Sequence, residues 1–271
     1  TMTLDLLLPG TALARDGGWS VSADVALLLE NTYPGSDEHY LMGLPALEAS
    51  RESGAYTWFV SLPWRGVGVS LVDPATGVTA SLSANFGGER GPEEYSVVGF
   101  PVAHSERTRS FLAGSPTVTT PVFVEAAIEY PTRFGIVGAT LGYHPTSIES
   151  HTAGGADRTR HGLLARLQYM RPLHMSGRLA VFAIAGVEVM DAAYADAWFS
   201  VDHPTTSLAA FDAGAGLRDV QAALHANYRA SERIDVALYC SGLLLLGDAA
   251  ASPYTRDRGQ QTVLLRTTYA F

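Results

Sequence analysis

The residues able to do covalent chemistry gather in one stretch. His144, His151, Asp157 and His161 lie close together in sequence, with Ser147 and Ser150 among them and His203 further on. A hydroxyl becomes a nucleophile when a base reaches it and a third group orients that base. The residue types suit a rim-borne protease or phospholipase, but their spacing places none of them on a shared element, and polar connections contain such residues by default. His144, His151 and His161 likewise lack the ligand spacing of a zinc site. Asp37, Glu38 and His39, or Asp248 and Asp257, offer oxygens to calcium or to cations that bridge lipopolysaccharide. Pro34-Gly35-Ser36-Asp37, however, has the composition of a turn. Leu246–Pro253 reads the same way: Gly247 and Asp248 bend the chain and Pro253 stiffens it. Gly214-Ala215-Gly216 lacks the strand before and the helix after that a nucleotide fingerprint needs. Cys240 is the single cysteine, so no disulfide or thiolate metal site forms within one chain. Its alternation places it on an apolar face, as a small buried hydrophobe. The expectation is a protein that is not an enzyme, with no catalytic residue, cofactor or metal.

The elements that must carry these residues are strands. Hydrophobic residues reach 47% and charged residues 17% of 271, against a usual charged share of about 25%. Mean hydropathy is +0.10, yet no apolar run approaches the ~18 residues of a membrane helix. A net charge of −9 offers no basic stripe to displace phosphate counterions, which excludes nucleic acid as a partner. If the chain meets a bilayer it does so as a closed barrel, because hydrocarbon cannot satisfy open backbone groups.

Period-2 alternation dominates. Trp19–Asn31 sets Trp19, Val21, Ala23, Val25, Leu27 and Leu29 against Ser20, Ser22, Asp24 and Glu30. Val78–Phe86, Val220–Arg229, Arg233–Leu243 and Val263–Phe271 alternate in the same way. Leu41–Ala49, Tyr56–Leu62, Gly66–Val72, Pro121–Tyr130, Phe134–Tyr143, Gly162–Met170 and Leu179–Val189 complete the set. This predicts an all-β, antiparallel up-and-down transmembrane β-barrel of about twelve strands, within a range of ten to fourteen. Tyr56–Val72 reads as two short strands or one long bent strand. Helical periodicity is hard to find. Short connections alternate with long ones at 31–40, 87–117, 144–161, 190–219 and 247–260, as periplasmic turns alternate with outer loops. Trp19, Tyr130, Tyr143, Tyr169, Tyr228 and Tyr269 suit an aromatic girdle. Residues 1–18 read as a leader or disordered segment, and 19–271 as the barrel domain.

Parity places Asp24, Glu30, Glu125, Glu129, Arg166, Gln168, His225, Arg229, Asp235 and Arg266 in the lumen. Opposite charges there should pair, since unpaired charges away from bulk water are costly. A lumen blocked by salt bridges is favoured over a small-solute pore, which would prefer cations given the acidic excess.

Four ordered stretches resemble the MipA/OmpV family of outer-membrane proteins. They are Tyr33-Pro34-Gly35-Ser36-Asp37-Glu38 with Leu44-Pro45; Trp64-Arg65-Gly66-Val67-Gly68 leading to Leu71-Val72-Asp73; Phe211 through Val220; and Leu246 through Pro253, followed by Asp257-Arg258-Gly259 and a last strand ending in Phe271. Tyr194–Val201 is similar to the family's tyrosine-rich strand extension. The leader and the 87–117 segment depart from the family pattern. The resemblance implies a barrel in the outer membrane of a Gram-negative bacterium, in contact with membrane lipid and lipopolysaccharide. A final aromatic in phase with the lipid face, Phe271, resembles the mark read by the outer-membrane insertion machinery. The resemblance also implies a scaffold between a periplasmic murein transglycosylase and a peptidoglycan synthase. A narrow channel and a loop-borne adhesin or receptor are the other functions considered.

Overall fold

The computed structural model describes residues 18–97, 100–151 and 156–271; the leader expectation for residues 1–18 falls almost wholly outside them. Twelve strands alternate in direction and close on themselves. They are β1 (Trp19–Asn31), β2 (His39–Ser53), β3 (Tyr56–Leu62), β4 (Gly66–Val72), β5 (Thr79–Phe86), β10 (Val122–Thr132), β11 (Gly135–Glu149), β12 (Arg158–Met175), β13 (Leu179–Met190), β14 (Gly216–Arg229), β15 (Ile234–Leu245) and β16 (Gly259–Ala270). Each pairs antiparallel with the next, and β16 returns to β1 with Val25 opposite Thr267. Closure pairs the edges that hydrocarbon would otherwise leave unsatisfied.

The alternation behaves as a lipid-facing wall should. Val25, Leu27, Leu41, Leu82, Leu141, Leu167 and Leu224 are exposed, while Ala26 and Leu44, one residue out of phase, are buried. The apolar belt therefore points away from the barrel's centre. At one end the connections are tight and the final residue lies beside them, Phe271 donating its N–H to the Val21 carbonyl at 3.1 Å. At the other end lie all the long connections. Tyr56–Val72 resolves into two strands joined by a tight turn at 63–65.

Four further strands belong to the long connection between β5 and β10: β6 (Glu89–Arg90), β7 (Glu94–Val97), β8 (Phe100–Ala103) and β9 (Thr117–Thr119). They extend from the upper end of β11 in the order β11-β9-β6-β7-β8. β9 and β6 carry the β10–β5 pairing upward in the same register, from Val122↔Phe86 to Thr119↔Glu89, and β7 and β8 follow on the β4 side. Helix α1 (Glu106–Leu112) follows β8, with Ser105 accepting the Thr108 N–H as N-cap.

Two expectations are corrected here. Three short helices are present where none was visible, α2 (Ala192–Phe199) and α3 (Gly247–Ala251) being the others. Tyr194–Val201 is therefore mostly helix rather than a strand extension: Asp191 caps the Tyr194 N–H at 2.8 Å and alanines follow, which favours a helical turn. Cys240 is half-buried on the outward face of β15, not enclosed, because the apolar face of a membrane barrel meets lipid.

Candidate functional site

The richest chemistry sits where the cap meets the barrel. In a regular strand Arg218 and Asp219 would face opposite sides of the wall. The β13–β14 register shifts between Glu188↔Asp219 and Val189↔Leu217, which leaves Arg218 as the extra residue of a bulge. A bulge re-aims a side chain, and here both Arg218 and Asp219 are buried. Glu188 lies between two guanidiniums. Arg166 approaches it through Nη2 at 2.6 Å and Nε at 3.0 Å, and Arg218 grips its other oxygen. Arg218 Nε also lies 3.3 Å from Asp219. Two cations and two anions thus neutralise one another out of water, the condition under which buried charges are tolerated.

Above this cluster the cap fills the mouth with apolar side chains. Leu112 of α1 and Tyr95 of β7 join one buried cluster with Ala26, Leu28, Leu44, Ala223, Tyr239 and Leu264 of the barrel interior. Tyr194, Ala195, Trp198 and Phe199 of α2 join a second with Val118, Ile148, Leu164, Met190 and Leu245. Arg90 of β6 ties the parts together. It is almost wholly buried, donates to the Trp198 carbonyl at 2.6 Å and lies 3.8 Å over the Tyr254 ring. Burial pulls its pKa below the ordinary guanidinium value, while four tyrosines around it act in the opposite sense.

On the side facing β1 and β2 the cap is held by polar contacts. Asp37 accepts Arg107 of α1 at 3.0 Å and Arg256 at 2.8 Å. Arg256 also donates to Thr108 at 3.3 Å, and Glu38 accepts the Ser105 N–H at 3.2 Å. Burial pulls the Glu38 carboxyl up, but hydrogen bonds from Ser105 and Thr108 and the nearby His104 outweigh it, so it sits below the ordinary carboxylate range. Burial holds His104 below its ordinary value and pushes Tyr33 up to about 12.

The two loops that carried the resemblance dock on each other here. The Gly35 carbonyl accepts the Arg256 and Asp257 N–H groups at 2.7 and 3.0 Å. Gly35 has φ +97, and a Cβ there would lie 2.6 Å from Thr255 Oγ1. Tyr33 is buried beside it, Pro34 starts the turn, and Pro253 follows Ser252, whose hydroxyl donates to Phe199 O at 2.7 Å. Gly247 opens α3 with φ +51, and Asp248 accepts the Gly214 N–H at 2.7 Å. These carboxylates are thus occupied by protein donors, as is Asp257, which accepts Gly259 N–H at 2.8 Å.

The residues expected in the lumen fall as follows. Asp24 is buried 3.8 Å from Arg266. Glu30 accepts the Tyr40 hydroxyl at 2.8 Å, and Glu125 accepts Asn85 Nδ2 at 3.0 Å. Arg229 lies 3.8 Å from Asp235 near the turn end. His225 is buried and stacks on Phe182 at 6.4 Å. Gln168 lies against Gly138, and Glu129 is half-buried. Arg229 thus faces Asp235, Arg166 takes Glu188 and Arg266 takes Asp24. Glu188, Arg218, Asp219 and Arg90 escaped the sequence reading. The signal that could have found Glu188 is its place as a lone carboxylate between Val187 and Val189; the bulge hid Arg218.

The nucleophile and metal candidates do not converge. His144 and His161 are strand residues on opposite faces of the wall, not loop residues. His144 stacks on Phe123 at 4.6 Å, and His161 meets the Tyr143 hydroxyl outside at 2.6 Å. His151 bonds Thr117 at 2.7 Å, and Asp157 accepts the Ser150 N–H at 3.1 Å. His203 lines a loop-face cavity of about 300 Å³ with Arg158, Asp196 and Asp202, where Arg158 pairs with Asp202. Among the described residues no three His, Cys, Asp or Glu side chains gather to hold a metal.

A closed twelve-stranded wall with an outward apolar belt, tight turns at one end and a built cap at the other, defines an outer-membrane β-barrel protein. Solved structures of similar outline include an outer-membrane channel from Pseudomonas putida F1 (11% identity, 98% of this chain and 100% of that one, TM-score 0.48). The NanC porin matches at 9% identity over 91% and 98% of the two chains, TM-score 0.44. The translocator domain of the autotransporter NalP from Neisseria meningitidis matches at 12% over 96% and 91%, TM-score 0.41. No curated protein matches the sequence. The family profile of the MltA-interacting protein MipA matches residues 25–271. The chain belongs to that family and is a protein of the bacterial outer membrane.

Proposed function

We propose that this protein is a non-enzymatic, non-conducting interaction protein of the outer membrane, which gathers peptidoglycan-remodelling enzymes at its periplasmic face. The cap carries the first half of this reading: apolar side chains from α1, α2 and β9 occupy the mouth that a channel would keep wet, with Leu112, Val118 and Ala195 fully buried. The family's description, an MltA-interacting protein, supports the second half, with a murein transglycosylase and a peptidoglycan synthase as partners. The turn end would then be the docking face, since short turns face the periplasm. In the same reading the ten interior polar residues line a blocked lumen, residues 1–18 form a leader, and Phe271 marks the chain for insertion. The test is capture of a purified periplasmic murein transglycosylase by the protein in lipid nanodiscs. The wild type and a variant lacking residues 88–119 should bind equally. Failure of the wild type to bind would overturn the scaffold; loss of binding with the cap would move the docking face to the loop end.

A further inference from the structure

The two ends of the barrel treat their arginines differently. At the loop end Arg107, Arg158, Arg160, Arg218 and Arg256 each meet a carboxylate. At the turn end Arg133 and Arg171 are exposed and meet none among the described residues. The segments 131–135 and 171–178 contain no acidic residue. The neighbouring turn brings Asp73 near, since a Cβ on Gly77 would lie 3.2 Å from Pro131. Asp73 is already engaged, however, accepting the Ala75 N–H at 3.0 Å and the Thr76 hydroxyl at 2.6 Å. A chain of net charge −9 therefore keeps a positive patch here with no acid of its own to neutralise it.

The register fixes the height of that patch. On β12 the outward residues run His161, Leu163, Ala165, Leu167, Tyr169 and Arg171, and the bulge comes only after Pro172. Ten residue steps of about 3.3 Å, tilted by roughly 40°, span about 25 Å, the height of the apolar band. His161 and Arg171 therefore mark its two boundaries. The β10–β11 turn arrives at the lower one. Ile136 pairs with Met170, so one step further on Gly135 stands opposite Arg171, with Arg133 and Phe134 beside it. Tyr169 leans across Gly135, where a Cβ would lie 3.1 Å from its ring, and donates its hydroxyl to the Phe134 carbonyl at 2.9 Å. Phe134 is itself exposed, and the Arg133 guanidinium lies 4.4 Å over its ring. Two aromatic rings and two guanidiniums thus share one patch of outer wall, at the level where hydrocarbon gives way to headgroups. An arginine at that level lays its stem on apolar surface and holds its charge among the headgroups.

We propose that Arg133 and Arg171 form a binding site for the headgroup of an anionic phospholipid. The guanidiniums donate paired N–H groups to its phosphate, and its acyl chains run up the wall over Val137, Leu141 and Leu167, all exposed. The ligand must carry both a net negative charge and apolar tails, because the patch lies at the edge of the belt. A zwitterionic choline headgroup brings a cation that the same two arginines repel. With the turns toward the periplasm, the lipid belongs to the periplasmic leaflet. The inference is independent of the scaffold reading.

Native mass spectrometry of the full-length protein, released from detergent containing equal amounts of phosphatidylglycerol and phosphatidylcholine, tests the site. The wild type should retain phosphatidylglycerol in preference by on the order of tenfold. The double variant Arg133→Gln, Arg171→Gln should retain the two lipids equally. Arg178→Gln with Arg233→Gln removes the same charge from the turn tips and should keep the preference. Equal retention by the wild type would overturn the proposal, and so would loss of the preference in the tip variant, which would mean diffuse attraction instead of a site. Excess glycerol phosphate should leave the lipid bound; its release would mean that the patch takes any phosphate and would refute a lipid site. Capture of a murein transglycosylase should be the same for the wild type and the Arg133/Arg171 variant. Loss of capture in that variant alone would assign the arginines to a protein partner and overturn the lipid reading. Should the Gln pair misfold, NMR of the wild type decides: phosphatidylglycerol spin-labelled near the ester should broaden the Phe134 and Arg171 amides more than phosphatidylcholine labelled alike, and equal broadening refutes the site.

Discussion

No lysine occurs in the 271 residues, so every side-chain cation other than histidine is a guanidinium, able to fork across a carboxylate. Glu188 depends on that property. Glu188→Ala would leave Arg166 and Arg218 without the anion that balances them, and breaking one partner out of a buried pair costs about 3–5 kcal/mol. A urea titration of the reconstituted barrel should show the midpoint fall accordingly, and an unchanged midpoint would mean the cluster is hydrated. His104 and Glu38 give the cap a pH dependence. His104 is held neutral by burial, with Tyr33, Arg90, Glu38 and Glu93 around it. A histidine whose folded pKa lies below the unfolded ~6.5 contributes stability that is complete above that value and lost as pH falls through the folded one. Glu38, also depressed, acts in the same direction at lower pH. The protection factors of the amides in residues 105–112 should therefore fall in acid, and His104→Gln should flatten the upper part of that profile.

Elements differ in how plainly the sequence announces them. β1, β3 and β4 run as read, from Trp19 to Asn31, Tyr56 to Leu62 and Gly66 to Val72, because one greasy and one polar face leave a strand only one register. The cap was not legible. β6 has two residues and β9 three, too short for any period, and their order depends on which edge of β11 is free. α2 was hidden because its burying face meets other parts of the cap on most sides, so its five buried residues of eight make no stripe. Arg218 was hidden by the bulge. In the motif loops the residue types were visible, but their convergence from opposite ends of the chain was not. That convergence predicts a cost for Gly35→Ala. The φ of +97 and the contact with Thr255 should together destabilise the loop by about 1–3 kcal/mol, read as faster amide exchange in both 32–38 and 252–258. If only the first loop responds, the two are not docked.

Across the molecule, stability and placement rest on the outward belt. Leu27 is half exposed near mid-height, and Leu27→Arg should cost about 2–4 kcal/mol in a bilayer. The cost should disappear where the lipid face is replaced by water, a comparison that refolding in lipid and in urea makes directly. The same geometry separates a wall that excludes lipid from a mouth that excludes water, and the two are carried by different parts of the chain: strands for the wall, the 87–121 segment with α2 and α3 for the mouth. Conductance across a planar bilayer at neutral pH distinguishes them most directly. The wild type should show no stable steps, and the variant lacking residues 88–119 should show them. Equal, stable steps from both proteins would contradict a mouth filled by the cap.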